Sequence, residues 1–102
     1  MIYEHRSYTL LPGRKPEFIE SFGKLMPLFE KYGAKVVGVW ETDVGESNEF
    51  IYILAFENFA QREDFWEKFR QDEVFLEYRR QGTRTANITN KILRPTKYSP
   101  LK

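Results

Sequence analysis

Cysteine is absent from this 102-residue chain and histidine occurs once. The first absence excludes disulfide staples, cysteine zinc sites and thiol nucleophiles. The second excludes a multi-histidine metal site within one chain, and one imidazole supports no Ser-His-Asp argument. No metal and no cofactor is expected. Charge of one sign is also lacking: 16 basic and 15 acidic side chains leave a formal charge of +1, with no run of five like charges. Nucleic acid is therefore not an expected partner. No apolar run approaches the ~20 residues of a membrane span. The opening Met1-Ile2-Tyr3-Glu4-His5-Arg6 turns polar too early for a secretory signal, and a cytoplasmic protein is expected. Gly33, Gly38 and Gly45 lie too far apart to form a phosphate loop.

What is abundant is aromatic. Phe, Tyr and Trp make up 17% of the residues, and 41% are hydrophobic. Such a chain is no disordered segment, and its length fits one domain, residues 1–102, with a thick core or a buried interface.

Residues 2–10 read as a strand that stops at Leu11-Pro12-Gly13. Pro16 and Glu17 suit the start of a helix. Phe18, Phe22, Leu25, Phe29 and Tyr32 form its apolar stripe, Pro27 predicts a kink, and Gly33 a stop. Residues 35–42 and 49–57 read as a hairpin closed by Asp43–Asn48, where Asn48 serves the turn. Residues 60–71 form a second helix, extended by 73–81, and residues 84–94 a last strand before Pro95. The order β-α-β-β-α-β predicts an α+β, ferredoxin-like fold: a four-stranded antiparallel sheet with both helices on one face.

The third strand alternates Phe50, Tyr52, Leu54 and Phe56 with Ile51, Ile53 and Ala55. Both of its faces are apolar, yet two helices cover only one. The expected bare face carries Phe50, Tyr52, Leu54, Phe56 and Trp40. A second copy related by a two-fold axis is its simplest cover, so a homodimer through the sheet face is expected. At ~25 cal/mol per Å², and ~150 Å² or more per large aromatic, that cover is worth several kcal/mol before association costs.

The first strand is the polar exception. Glu4, Arg6 and Tyr8 share one face, and Tyr3, His5, Ser7 and Thr9 the other. One reading is the floor of a cavity inside the dimer: Arg6 holds an anionic or carbonyl group, Glu4 orients it or acts as base, and Tyr8 donates. The other is a structural ion pair that fixes register. Arg62 reads as an exposed helix-start arginine or as a side chain at the cavity mouth, and Trp66 as core or cavity wall. Trp40 and Tyr52 join the candidate ligand contacts.

Taken together, Glu4-x-Arg6-x-Tyr8, Pro12-Gly13, Pro27, Val37-x-Val39-Trp40, Gly45-x-x-Asn48, Arg62, Trp66, Leu93-Arg94-Pro95 and Ser99-Pro100 resemble the NIPSNAP family along practically the whole chain. The resemblance implies a ferredoxin-like unit that dimerises into an α+β barrel. It implies no defined reaction. The wider class of such barrels includes cofactor-independent monooxygenases, haem-degrading enzymes and ligand-binding regulators. Residues 60–81 lack the histidine that haem degradation needs in the second helical region. Many family members carry histidine where this chain has Tyr52 and tryptophan near Leu54. Three functions follow as expectations: a homodimer binding a small, partly apolar ligand near Glu4, Arg6, Tyr8, Trp40, Tyr52 and Arg62; a cofactor-free oxygenase or isomerase of an aromatic or keto compound, with Glu4 or His5 as base; or an interaction scaffold with no ligand.

Overall fold

The computed structural model describes residues 1–102. Strand β1 spans Ile2–Leu10, and helix α1, Lys15–Phe22, follows with Pro16 in its first turn. A 3₁₀ turn at Gly23–Leu25 leads into α2, Met26–Lys31, with Pro27 in its first turn. Proline has no N–H to continue the ladder, so the expected kink becomes a break. Gly33 ends this region at a φ of 97°, a conformation that glycine adopts without a Cβ clash.

Strands β2, Lys35–Glu41, and β3, Glu49–Phe56, form the hairpin. Helix α3, Phe59–Phe69, begins at Asn58, whose side chain accepts from the Gln61 N–H at 2.9 Å. Helix α4, Glu73–Arg80, is capped by Asp72, which accepts from the Val74 N–H at 2.8 Å. Strand β4 is Thr85–Leu93. The sheet order is β2-β3-β1-β4 with every neighbour antiparallel, as the ferredoxin-like reading requires. No helix is long and apolar enough to cross a membrane.

Directly paired residues of antiparallel strands share a face. Register pairs Glu4 with Leu54, Arg6 with Tyr52 and Tyr8 with Phe50, so all six point the same way. That way is toward the helices: Phe50, Tyr52, Leu54 and Phe56 are all buried within one chain. They pack with Phe18, Phe22, Phe29, Phe65 and Phe69 in one aromatic core. Phe22 meets the Phe50 ring edge-on at 4.8 Å, and the Phe29 and Phe69 rings stack at 5.3 Å.

The expected face assignment is therefore reversed. The bulky set lies under the helices, where only rings fill the gap to the helical stripes, and the open face carries the smaller Ile51 and Ile53. Trp40 is opposite Ile51 on that open face, half exposed, and Tyr52 is on the other side of the sheet. The molecule is only 19 Å thick, one sheet and one helical layer. Its outer sheet face has no helical cover. There the Trp40 indole folds over Gly38, where an added Cβ would lie 2.3 Å from the ring.

Candidate ligand-binding site

Glu4 is completely buried, and five donors converge on its two oxygens. Oε1 accepts from Arg62 Nε at 2.9 Å and from Trp66 Nε1 at 2.8 Å. Oε2 accepts from Arg6 Nη1 at 3.0 Å, Arg62 Nη2 at 3.2 Å and Asn90 Nδ2 at 2.8 Å. Burial alone would raise the carboxyl pKa. The hydrogen bonds from Arg62, Trp66 and Asn90, with the Arg62 charge, outweigh it and hold the pKa below the usual carboxylate range. A carboxylate so placed stays ionised with its lone pairs claimed, which makes it a positioning group and a poor proton acceptor.

What it positions is Arg6. That guanidinium lies 4.8 Å from the Trp66 ring centre, and its Nε and Nη2 donate to the Tyr8 hydroxyl at 3.3 and 3.2 Å. The Tyr8 and Tyr52 hydroxyls are 3.3 Å apart. Since Tyr8 accepts from Arg6, the two phenols share one bond between them and retain one proton for a further acceptor. Burial, reinforced by Tyr8, pushes the Tyr52 pKa well up, so its hydroxyl remains a donor.

Arg6, Tyr8 and Tyr52 open onto a cavity of about 410 Å³ between the sheet and the helices, within the size range of small-molecule sites. Phe18 and Phe22 of α1, Phe69 of α3 and Phe75 and Tyr78 of α4 form its aromatic walls. The segment Gly82–Thr85 and Ile88 of β4 close the remaining side. Burial raises the Tyr78 pKa to about 12. No group of three or more His, Asp or Glu side chains converges anywhere to hold a metal ion.

The structure thus brings together Glu4, Arg6, Tyr8, Tyr52 and Arg62, and leaves out His5 and Trp40. His5 pairs with Ile53 and Lys91 on the outer sheet face, with its Nδ1 buried and unpartnered. Arg62 is not the free helix-start arginine of the commoner reading, because its fork is spent on Glu4. Trp66 is both cavity wall and hydrogen-bond donor. Sequence reasoning missed Asn90, Tyr78 and Arg84. Asn90 faces Arg6 across the β1–β4 pair, a register that no local spacing reveals. Arg84 follows Gly82 and reads as an ordinary loop residue.

The fold places the chain among the ferredoxin-like α+β structures that include NIPSNAP proteins and antibiotic biosynthesis monooxygenase-like ones. The NIPSNAP family model matches residues 3–100, and the chain belongs to that family. Human Protein NipSnap homolog 3A is 32% identical over 78 residues, covering 76% of this chain and 31% of that protein. The chain thus spans about a third of the length of the curated relatives it matches. A NIPSNAP family protein of unknown function from Agrobacterium tumefaciens superposes with a TM-score of 0.92 at 25% identity, over 100% of this chain and 94% of that one. A candidate antibiotic biosynthesis monooxygenase from Bordetella bronchiseptica has a TM-score of 0.73 at 21% identity, over 93% and 96% of the two chains, and shares the fold alone.

Proposed function

We propose that this chain is one binding domain, working as a homodimer in which each subunit holds a small, partly apolar ligand between its sheet and its helices. The observation that carries the reading is the 410 Å³ cavity itself, walled by rings and floored by Arg6, Tyr8 and Tyr52. An arginine held by Glu4 and stacked on Trp66 is fixed before any ligand arrives, which lowers the ordering cost of binding. The spare phenolic proton suits a carbonyl or anionic oxygen. Support for the second copy comes from the open face, where Ile51, Ile53 and Trp40 lie on a slab with no helical cover.

The neutral fluorescent probe N-phenyl-1-naphthylamine tests the cavity. It is expected to bind with one site per chain. Ile88→Trp, which adds bulk at a half-exposed position of the cavity wall, is expected to weaken it about tenfold without unfolding the protein. Unchanged binding in Ile88→Trp, or none in the parent protein, contradicts the reading. Ile53→Lys, on the outer face, is expected to turn a sedimenting dimer into a monomer that still binds the probe; a dimer that survives it contradicts the assembly.

A further inference from the structure

Arg84 is buried to 6% exposure and forms no ion pair. Its one side-chain hydrogen bond runs from Nη1 to Ser21 Oγ at 2.6 Å. That hydroxyl faces Gln81 Oε1 at 3.3 Å, so its proton has an acceptor and its lone pair is left for Arg84. The guanidinium lies 4.9 Å from the Tyr78 ring centre and 5.8 Å from that of Phe18, both rings of the cavity wall. Arginine has five N–H donors, and here all but one are unclaimed. Its unpartnered Nε and Nη2 both keep some exposure, because His5 Nδ1 is the one fully enclosed side-chain nitrogen or oxygen without a partner. Arg84 is itself one of the residues that line the cavity.

Charge around the cavity sharpens the point. Four arginines line it, and no Asp or Glu does. Arg6 has its charge answered by Glu4 behind it. Arg70 and Arg79 are exposed and unpaired, near the Trp66 and Phe75 rings. Arg84 is the enclosed cation with no counter-charge. A cation held so is costly unless something anionic joins it, and water or an anion must meet its donors.

We infer that the ligand is an aromatic acid, its flat ring held between the phenylalanine and tyrosine walls and its carboxylate on Arg84. Arg84 is the anchor for the carboxylate, and the Arg6–Tyr8–Tyr52 group receives a polar atom on the rest of the molecule. The planar fork of arginine matches a carboxylate, and rings on either side exclude the water that would screen the pair. This deepens the cavity-binding reading and rests on it.

Displacement of N-phenyl-1-naphthylamine by 2-naphthoate and by 2-naphthamide separates the two ideas, since the competitors share a ring and differ in charge. The carboxylate is expected to compete at least about tenfold better than the amide. Arg84→Met keeps the apolar stem and removes the charge. It is expected to bring that ratio close to one, to keep binding the neutral probe, and to melt no more than a few degrees below the parent. Removing an unanswered buried charge is close to neutral for an empty site. Arg84→Lys is expected to retain part of the preference. Equal competition by the two naphthalenes overturns the inference and leaves the cavity reading standing. A probe that never binds removes both. A preference that persists in Arg84→Met assigns the anion elsewhere, and a large loss of stability in that variant makes Arg84 a structural residue; either result overturns the proposal.

Discussion

Replacing Glu4 by glutamine removes the one negative charge from a site where five donors meet. The Arg6 side chain, 18% exposed, then has no counter-charge, and Arg62, 17% exposed, keeps only the exposed Glu63. Removing one partner of a buried ion pair costs about 3–5 kcal/mol. Glutamine keeps one acceptor oxygen, which places the expected loss near the lower end, about 3 kcal/mol. In a domain this small that lowers the melting midpoint by roughly 12 °C or more. The sign with pH follows from linkage. The folded pKa of Glu4 is depressed, so its contribution is present in full above the unfolded carboxyl value of about 4.3 and fades as pH falls through the lower folded value. Urea unfolding followed by circular dichroism should show a large gap between parent and Glu4→Gln at pH 7 that narrows on acidification. A gap under about 0.5 kcal/mol at pH 7, or one that does not change down to pH ~2.5, refutes the assignment of Glu4 as the organising charge.

Trp66→Phe keeps a ring against Arg6 and Phe65 but deletes the Nε1–H bond to Glu4. A loss of about 1.5–3 kcal/mol is expected in the same urea assay, because the acceptor is charged. Gly38→Ala should displace the Trp40 indole from the open face. The displaced atoms are the far end of a half-exposed side chain, so folding stability should change by less than about 1 kcal/mol. Dimer affinity, measured by sedimentation equilibrium, should fall about tenfold.

Much of the fold is legible in the sequence because its signals are local. The aromatic stripe from Phe18 to Tyr32 sets the first helical face, Pro27 breaks it, and the predicted strands end within about two residues of the observed ones. The assignment of faces is not local. Alternation shows that β3 is apolar on both sides; which side meets the helices depends on volumes. Phe50 to Phe56 interleave with the helical phenylalanines, whereas the shorter Ile51 and Ile53 suit a flat face. Trp40 consequently lies outside the cavity expected to include it, and the cavity is lined by residues of a single chain. The polar cluster was half legible. Glu4, Arg6 and Tyr8 advertise themselves by alternating along one strand, whereas Arg62, Trp66 and Asn90 reach Glu4 from α3 and β4, 58 to 86 residues away. Arg84 has no signature beyond being an arginine, and its burial comes from Tyr78 and Phe18 closing over it.

Each side of the sheet carries one tryptophan, Trp66 in the cavity wall and Trp40 on the open face, so ligand binding and dimer formation, if they use separate sides, report on different indoles. An ¹H–¹⁵N spectrum resolves both indole N–H signals in one sample. Titration with N-phenyl-1-naphthylamine should move the Trp66 signal and leave Trp40 in place, whereas dissociating the dimer, by dilution or by Ile53→Lys, should move Trp40 and spare Trp66. Movement of Trp40 on adding the probe, with Trp66 still, contradicts the account.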